Sequence, residues 1–275
     1  MANEVLRVEI ARGVAWATID HPPDHVVDGA LLGAVASHFD ALEADPDVRV
    51  AVFRSADPDF FLMHGDVRGI LRMPAPTIPV TVPNPATALL QRIHTSPLLT
   101  IAMVDGIARG GGAELLVALD LRYSSTRTVL GQPEVAMGIL PGAGGTARLP
   151  RLLGRARALE VILTGRDVDA AEARDLGWLD VVVEPDALEP TVTRVAERIA
   201  SMPAESIAAV KRVVEASLAG LDAALVTESD AFARLVAGGG HRERMERFLA
   251  AGGQTRAAER GSIEPLLDAM NAAMG

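Results

Sequence analysis
The sequence predicts an α/β core with parallel strand pairing, followed by a helical C-terminal region. Three observations predict it. The runs 48–53 and 99–104 are largely apolar, as strands covered on both faces must be. Helical stretches alternate with strands through the first two-thirds of the chain. From residue 155 onward the apolar spacing is helical almost throughout, apart from a short apolar strand at 181–183. The 275 residues suffice for one large domain or two modest ones. The expected division is a core at 1–200 and a helical region at 201–275 packed on it.

Taken in order, the runs 5–10 and 14–19 flank Ala11-Arg12-Gly13 and read as a β-hairpin. Residues 28–43 read as a helix with Leu31, Leu32, Val35, Phe39 and Leu42 on one face. The first apolar strand follows, then a loop at 55–65 and a proline-rich stretch at 74–85. That stretch excludes regular helix or central strand, because each proline removes a backbone donor. A helix at 87–94 leads into the strand 99–104, then come a glycine cluster, a helix at 113–119 and a strand near 121–125. A second glycine cluster, 142–145, opens helix to residue 153. The C-terminal part is expected as helices at 189–202, 206–219, 222–236, 241–250 and 263–274.

Composition excludes several function classes. The absence of cysteine removes disulfides, thiolate catalysis and Cys-ligated metal sites. A formal net charge of -10 repels a phosphate backbone, so nucleic acid is not an expected partner. No apolar run reaches the ~18–20 residues of a membrane-spanning helix, and no membrane partner is expected. The N-terminal segment lacks the apolar stretch of a signal peptide, and Glu4 and Glu9 argue against a mitochondrial presequence, so the cytoplasm is the expected compartment. No His-x-x-x-His lies on a helical stretch, and no metal is expected. No Gly-x-Ser-x-Gly elbow supports a serine nucleophile.

Three segments carry the chemistry. In Asp105-Gly-Ile-Ala-Arg-Gly-Gly-Gly-Ala-Glu114 a strand runs into glycines that open a helix. Such a turn admits close backbone approach and leaves helix N-terminal N–H groups free for an oxyanion. Glu114 falls in the first helical turn, where a carboxylate by itself more often serves the helix dipole. Leu130-Gly-Gln-Pro-Glu134 presents a second glutamate on a loop, where such a residue by itself is more often solvated. Together the two suit acid/base work on one substrate. Gly142 to Ala147 matches a dinucleotide fingerprint of the GxGxxA form, but a proline precedes it and helix follows, so no nucleotide cofactor is expected. The third segment, 57–66, is a loop with aromatics, His64 and Gly65 that can lend a backbone N–H to a site.

In this order and spacing these segments resemble the crotonase superfamily, the enoyl-CoA hydratase/isomerase family. Ile101 to Leu115 is similar to its glycine-rich oxyanion turn with the following glutamate, and Gly131-Gln-Pro-Glu-Val to its second-glutamate motif. Pro141-Gly-Ala-Gly-Gly-Thr146, Leu163-Thr-Gly-Arg and Leu176-Gly-Trp-Leu-Asp-Val-Val continue the likeness, which spans about residues 4–250.

The resemblance implies a spiral of ββα units of the ClpP/crotonase type, with a C-terminal helical trimerisation region and a homotrimer or a hexamer built as a dimer of trimers. It implies an acyl-CoA thioester substrate and no cofactor beyond the coenzyme A of that substrate. By position, backbone N–H groups of Met63 and Gly111 are the expected oxyanion donors. Glu114 is expected to activate water, Glu134 to exchange a proton with the substrate α-carbon, and Gly142 to line the water site. His25, Val26, Leu62, His64 and Asp66 are the expected CoA or substrate contacts. The chain departs from the family pattern at Met63-His-Gly-Asp66, which is usually Ala-Gly-Ala-Asp, and most at 68–85. Retention of both glutamates favours an enoyl-CoA hydratase over another reaction of the superfamily (isomerisation, decarboxylation, hydrolysis) and over non-catalytic acyl-CoA or RNA binding.

Overall fold
A computed structural model of the chain describes residues 5–22, 25–72, 83–218, 247, 250 and 251. They belong to two compact units, 1–200 and 201–275. The expected helices 222–236 and 263–274, most of 241–250 and most of the proline-rich stretch lie outside the described residues.

The first unit is built on two sheets. The larger has six strands: β1 (Leu6–Ala11), β2 (Val14–Ile19), β3 (Val50–Ser55), β5 (Leu99–Val104), β7 (Leu121–Ser125) and β10 (Val181–Val183), in that order. β1 and β2 pair antiparallel, and all other pairs are parallel. The β1–β2 turn places Arg12 and Gly13 at φ 53° and 75°, the left-handed pair that a two-residue hairpin matching strand twist requires. Alternation along β3 divides the core. Ala51 and Phe53 join the main cluster on one face, with the helix α1 (Gly29–Ala44). Val50 and Val52 face the other way, packing with Leu188, Val192 and Ala196 of α8 (Pro185–Ala200). Burial on both faces is why Val50–Phe53 is apolar without a polar side.

α1 starts where Asp28 caps it, its carboxylate accepting the Leu31 N–H at 2.9 Å. The buried stripe Leu31, Val35, Phe39, Leu42 follows helical spacing, and Phe39 stacks on Phe53 at 6.4 Å between ring centres. α3 (Pro85–Thr95) begins with an Asn84 cap and a proline in its first turn.

The smaller sheet supplies the second strand of each ββα unit that the resemblance implies, although the sequence pattern marks no separate strands at its positions. Its strands β4 (Phe60–Leu62), β6 (Ile107–Arg109), β8 (Val129–Gly131) and β9 (Val168–Asp169) have two or three residues each, ordered β4-β6-β8-β9. Each of β3, β5 and β7 gives a strand to the large sheet, and the chain then adds β4, β6 or β8 to the small one before helix follows. This repeated ββα step is the crotonase-type spiral. α2 (Val67–Leu71) and α3 follow β4, and α4 (Gly111–Ala118) follows β6. β8 leads into a 3₁₀ turn (Glu134–Met137), α5 (Gly145–Leu153) and α6 (Arg155–Thr164). β9 leads directly into α7 (Ala170–Leu176). In the second unit, residues 201–218 hold α9 (Ala204–Ser217).

Candidate active site
The strands β4, β6 and β8 pair in parallel, Leu62 with Ala108 after a one-residue register shift in β4, and Arg109 with Gly131. Their C-terminal ends therefore deliver Met63–Gly65, Gly110–Gly112 and Gln132–Glu134 to one place. Crossing backbone bonds hold them there: Gly110 N–H donates to Gly131 O at 2.9 Å, and Gly112 N–H to Met63 O at 2.9 Å. The approach tolerates no side chain. A Cβ on Gly112 would stand 2.0 Å from Leu62 O. At Gly110, where φ is 49°, a Cβ would stand 2.7 Å from Glu134 Oε1 and 2.8 Å from His64 Cβ, so the carboxylate and the histidine crowd the same point.

Glu114 and Glu134 are both buried, at 4% and 6% exposure, against the sequence expectation for each residue by itself. Their surroundings differ. Glu114 Oε1 accepts the N–H groups of Ala143 at 2.7 Å and Gly145 at 2.8 Å, where the second glycine cluster turns into α5. Both bonds fall on one oxygen, so Oε2 has no protein donor among the described residues. Burial pushes the Glu114 carboxyl up from its ordinary value, and the Gly145 and Ala143 donors oppose that rise. Glu134 is pushed up to about 7, chiefly by burial, against a bond from its own N–H and with the Glu114 charge adding to the rise. The amide of the fully buried Gln132 lies against this carboxylate, and the orientation that satisfies both its ends puts the nitrogen 3.0 Å from Oε2. Two carboxyls in one site thus hold their protons with different strength.

The expected residues fall into two groups. Glu114, Glu134, Gly111 and His64 come together around Gly110, and Gly142 lies beside the Ala143–Gly145 donors with its carbonyl accepting Asn84 Nδ2 and Thr87 Oγ1. His64 is half-buried with Nδ1 donating to Gly65 O at 2.9 Å, which fixes its tautomer because a carbonyl only accepts.

Three expectations, for Met63, His25 and Leu62, are corrected. Met63 N–H is not vacant: it donates to His25 O at 2.8 Å. The vacant donor lies two residues on. Val27 bridges Gly65 by bonding His64 O and Asp66 N–H, which turns the Gly65 N–H the other way. There the Gly65 nitrogen lies 3.2 Å from the point a Gly111 Cβ would occupy, and among the described residues neither Gly65 nor Gly111 N–H meets an acceptor. His25 is not a ligand contact through its ring, which is 2% exposed and bonded inward to Phe61 O and Ser55 Oγ. Leu62 is core, at 1% exposure. Asp66 caps α2 by accepting Arg68 N–H. Val26 is half-buried in the same segment as His25.

Sequence reasoning missed Gly65, Ala143, Gly145 and Gln132 as functional positions. Gly65 and the 143–145 donors carried a signal, glycine-rich chain beside a candidate glutamate; Gln132 carried none beyond its nearness to Glu134.

A two-sheet ββα spiral whose strand ends gather two buried carboxyls and two backbone N–H groups without acceptors among the described residues is the architecture of the crotonase class. The comparisons with known proteins agree: the model of the enoyl-CoA hydratase/isomerase family matches residues 9–253, and the chain belongs to that family. It is 31% identical over 204 residues to "Probable enoyl-CoA hydratase 2, mitochondrial" of Arabidopsis thaliana, covering 74% of this chain and 67% of that protein. It is 38% identical over 183 residues to the peroxisomal bifunctional enzyme of Danio rerio, covering 66% of this chain but spanning only 24% of that longer protein. The crystal structure of enoyl-CoA hydratase from Bacillus anthracis matches with a TM-score of 0.83 and 28% identity, over 90% of this chain and 96% of that one.

Proposed function
We propose that this chain is a 2-enoyl-CoA hydratase, adding water reversibly and syn across the α,β double bond of an acyl-CoA thioester. One observation carries the reading: both glutamates are buried beside the same glycine turn, each with its own set of hydrogen-bond donors. The thioester oxygen is received by the N–H groups of Gly65 and Gly111, the latter at the N-terminus of α4. Negative charge gathers on that oxygen as the enolate forms, so donors fixed in advance stabilise the transition state more than the ground state.

Glu114, anchored through Oε1, presents Oε2 to the water and takes its proton as the hydroxyl adds to the β-carbon. Glu134, the more readily protonated partner, gives its proton to the α-carbon as the enolate collapses. One proton enters the pair and one leaves it, so the reverse reaction starts from the opposite arrangement of a single shared proton. The active enzyme therefore holds one proton on the pair, and both limbs of its pH profile belong to the pair. A homotrimer or dimer of trimers in the cytoplasm completes the proposal.

Mixing the protein with crotonyl-CoA tests it. Loss of the enoyl-thioester absorbance at a rate proportional to protein is expected. Binding without loss of that band overturns the hydratase reading.

A further inference from the structure
We propose that His25 is a positioning residue for the oxyanion loop, holding the 61–65 segment so that the Gly65 N–H faces the thioester. The inference rests on the hydratase reading and deepens it.

His25 stands at φ 49°, one of two non-glycine residues with positive φ among the described residues. Such a backbone costs energy and persists where surrounding contacts over-determine it. Those contacts converge on the loop. The His25 carbonyl accepts Met63 N–H at 2.8 Å. The ring Nε2 lies 3.1 Å from Phe61 O and 2.9 Å from Ser55 Oγ. Phe61 O only accepts, so Nε2 carries the proton, and Nδ1 turns its lone pair to the His21 N–H at 3.4 Å. Two residues on, Val27 continues the pairing through His64 O and Asp66 N–H. One residue thus fastens β4 on both sides of Leu62, and the neighbouring pairing sets which face of the chain Gly65 presents.

The ring does this as a neutral imidazole, whose Nδ1 accepts the His21 N–H. Burial lowers its pKa; among the charged neighbours, Asp57 and Asp20 raise it and His21 lowers it. Protonation would put a second N–H opposite the His21 N–H.

The test separates a donor at the Nε2 position from bulk alone. His25→Gln keeps an amide N–H able to reach Phe61 O, whereas His25→Leu fills space without a donor. With crotonyl-CoA, His25→Leu is expected to lose about 10²-fold in kcat, the scale of a slight misplacement of catalytic groups. KM is expected to stay within about threefold, and His25→Gln to recover most of the loss. A second readout is the red shift of bound cinnamoyl-CoA, whose conjugated thioester is polarised by donors at its carbonyl. The shift is expected to shrink in His25→Leu and return in His25→Gln.

If His25→Leu fails to fold, His25→Asn replaces it, being polar but too short to reach Phe61 O. Equal kcat and equal red shift in the reaching and non-reaching variants overturn the inference while leaving the hydratase reading intact. A wild-type protein that neither hydrates crotonyl-CoA nor shifts cinnamoyl-CoA overturns both.

Discussion

The large and small sheets share one chain and divide its tasks. Strands β1, β2, β3 and β5 run six residues each, and β3 is apolar on both faces. The small-sheet strands run two or three residues and end in glycine turns and carboxylates. Both sheets feed the core, but the long apolar runs lie in the large sheet and the candidate site lies at the rim of the small one. Substitutions in the two should separate activity from stability, and the largest separation is expected at Glu134.

Glu134→Gln should lower hydration about 10²–10⁴-fold, the usual contribution of a positioned acid or base. The same change should stabilise the protein in alkali. The folded-state carboxyl is raised from 4.5 to about 7. Its contribution to stability is therefore fully present below the unfolded value and lost as pH rises through the folded one. At pH 8 the buried charge costs on the order of 2 kcal/mol that glutamine avoids. Urea unfolding at pH 8 and pH 4 checks this: the variant should be the more stable at pH 8 and lose that advantage at pH 4. A variant no more stable than wild type at pH 8 would break the link between burial and proton affinity.

Phe53→Ala is the converse. Its ring is 1% exposed and stacked on Phe39, so truncation should cost about 3–5 kcal/mol. The fraction that remains folded should keep kcat, because the Phe53 ring stacks on Phe39 in the core and supplies no group to the site. A kcat loss matching that of Glu134→Gln would show that the two sheets are not separable.

Next in size is the pair Gly65→Pro and Gly65→Ala. Proline removes the N–H, and one lost oxyanion donor costs about 10²–10³ in rate. Alanine keeps it, and its Cβ meets only Ile70 Cδ1 at 3.6 Å, ordinary contact. The proline variant should be much the slower in crotonyl-CoA hydration, with far-ultraviolet circular dichroism confirming that both are folded. Equal rates would return the donor to another residue of the loop.

The same division decides what the sequence revealed. Long elements carry periodicity: α1 was readable from Leu31, Val35, Phe39 and Leu42, and β5 from its apolar run. Strands of three residues carry none, because alternation needs more positions than Phe60–Leu62 supplies. The glutamates were found because each adjoins glycines or a proline in a family motif. Their burial was not, since it depends on three strand ends meeting. Met63 was chosen by position along the loop; only the bond to His25 O shows that its donor is already engaged and that the vacancy lies at Gly65. His25, expected as a CoA or substrate contact, lies inside at positive φ with its ring bonded to Phe61 O.

The smallest expected effect sits next to the largest. Gln132 is fully buried, and the amide orientation that satisfies its hydrogen bonds places the nitrogen 3.0 Å from Glu134 Oε2 and 3.3 Å from Oε1. An N–H donated to a carboxylate favours its ionised form, so Gln132 opposes the rise that burial produces. Gln132→Leu removes the donor at similar volume, and the Glu134 proton should be held more tightly. The pair must carry one proton to work, so the alkaline limb of kcat/KM for hydration should move to higher pH, by up to about one unit for a single hydrogen bond. The acid limb should move less, since Glu114 keeps its donors from Ala143 and Gly145. A pH profile of both enzymes over the range 5–9 (roughly two units either side of neutrality) reads both limbs. A limb that moves to lower pH would mean that Gln132 presents its carbonyl, not its amide nitrogen, to Glu134.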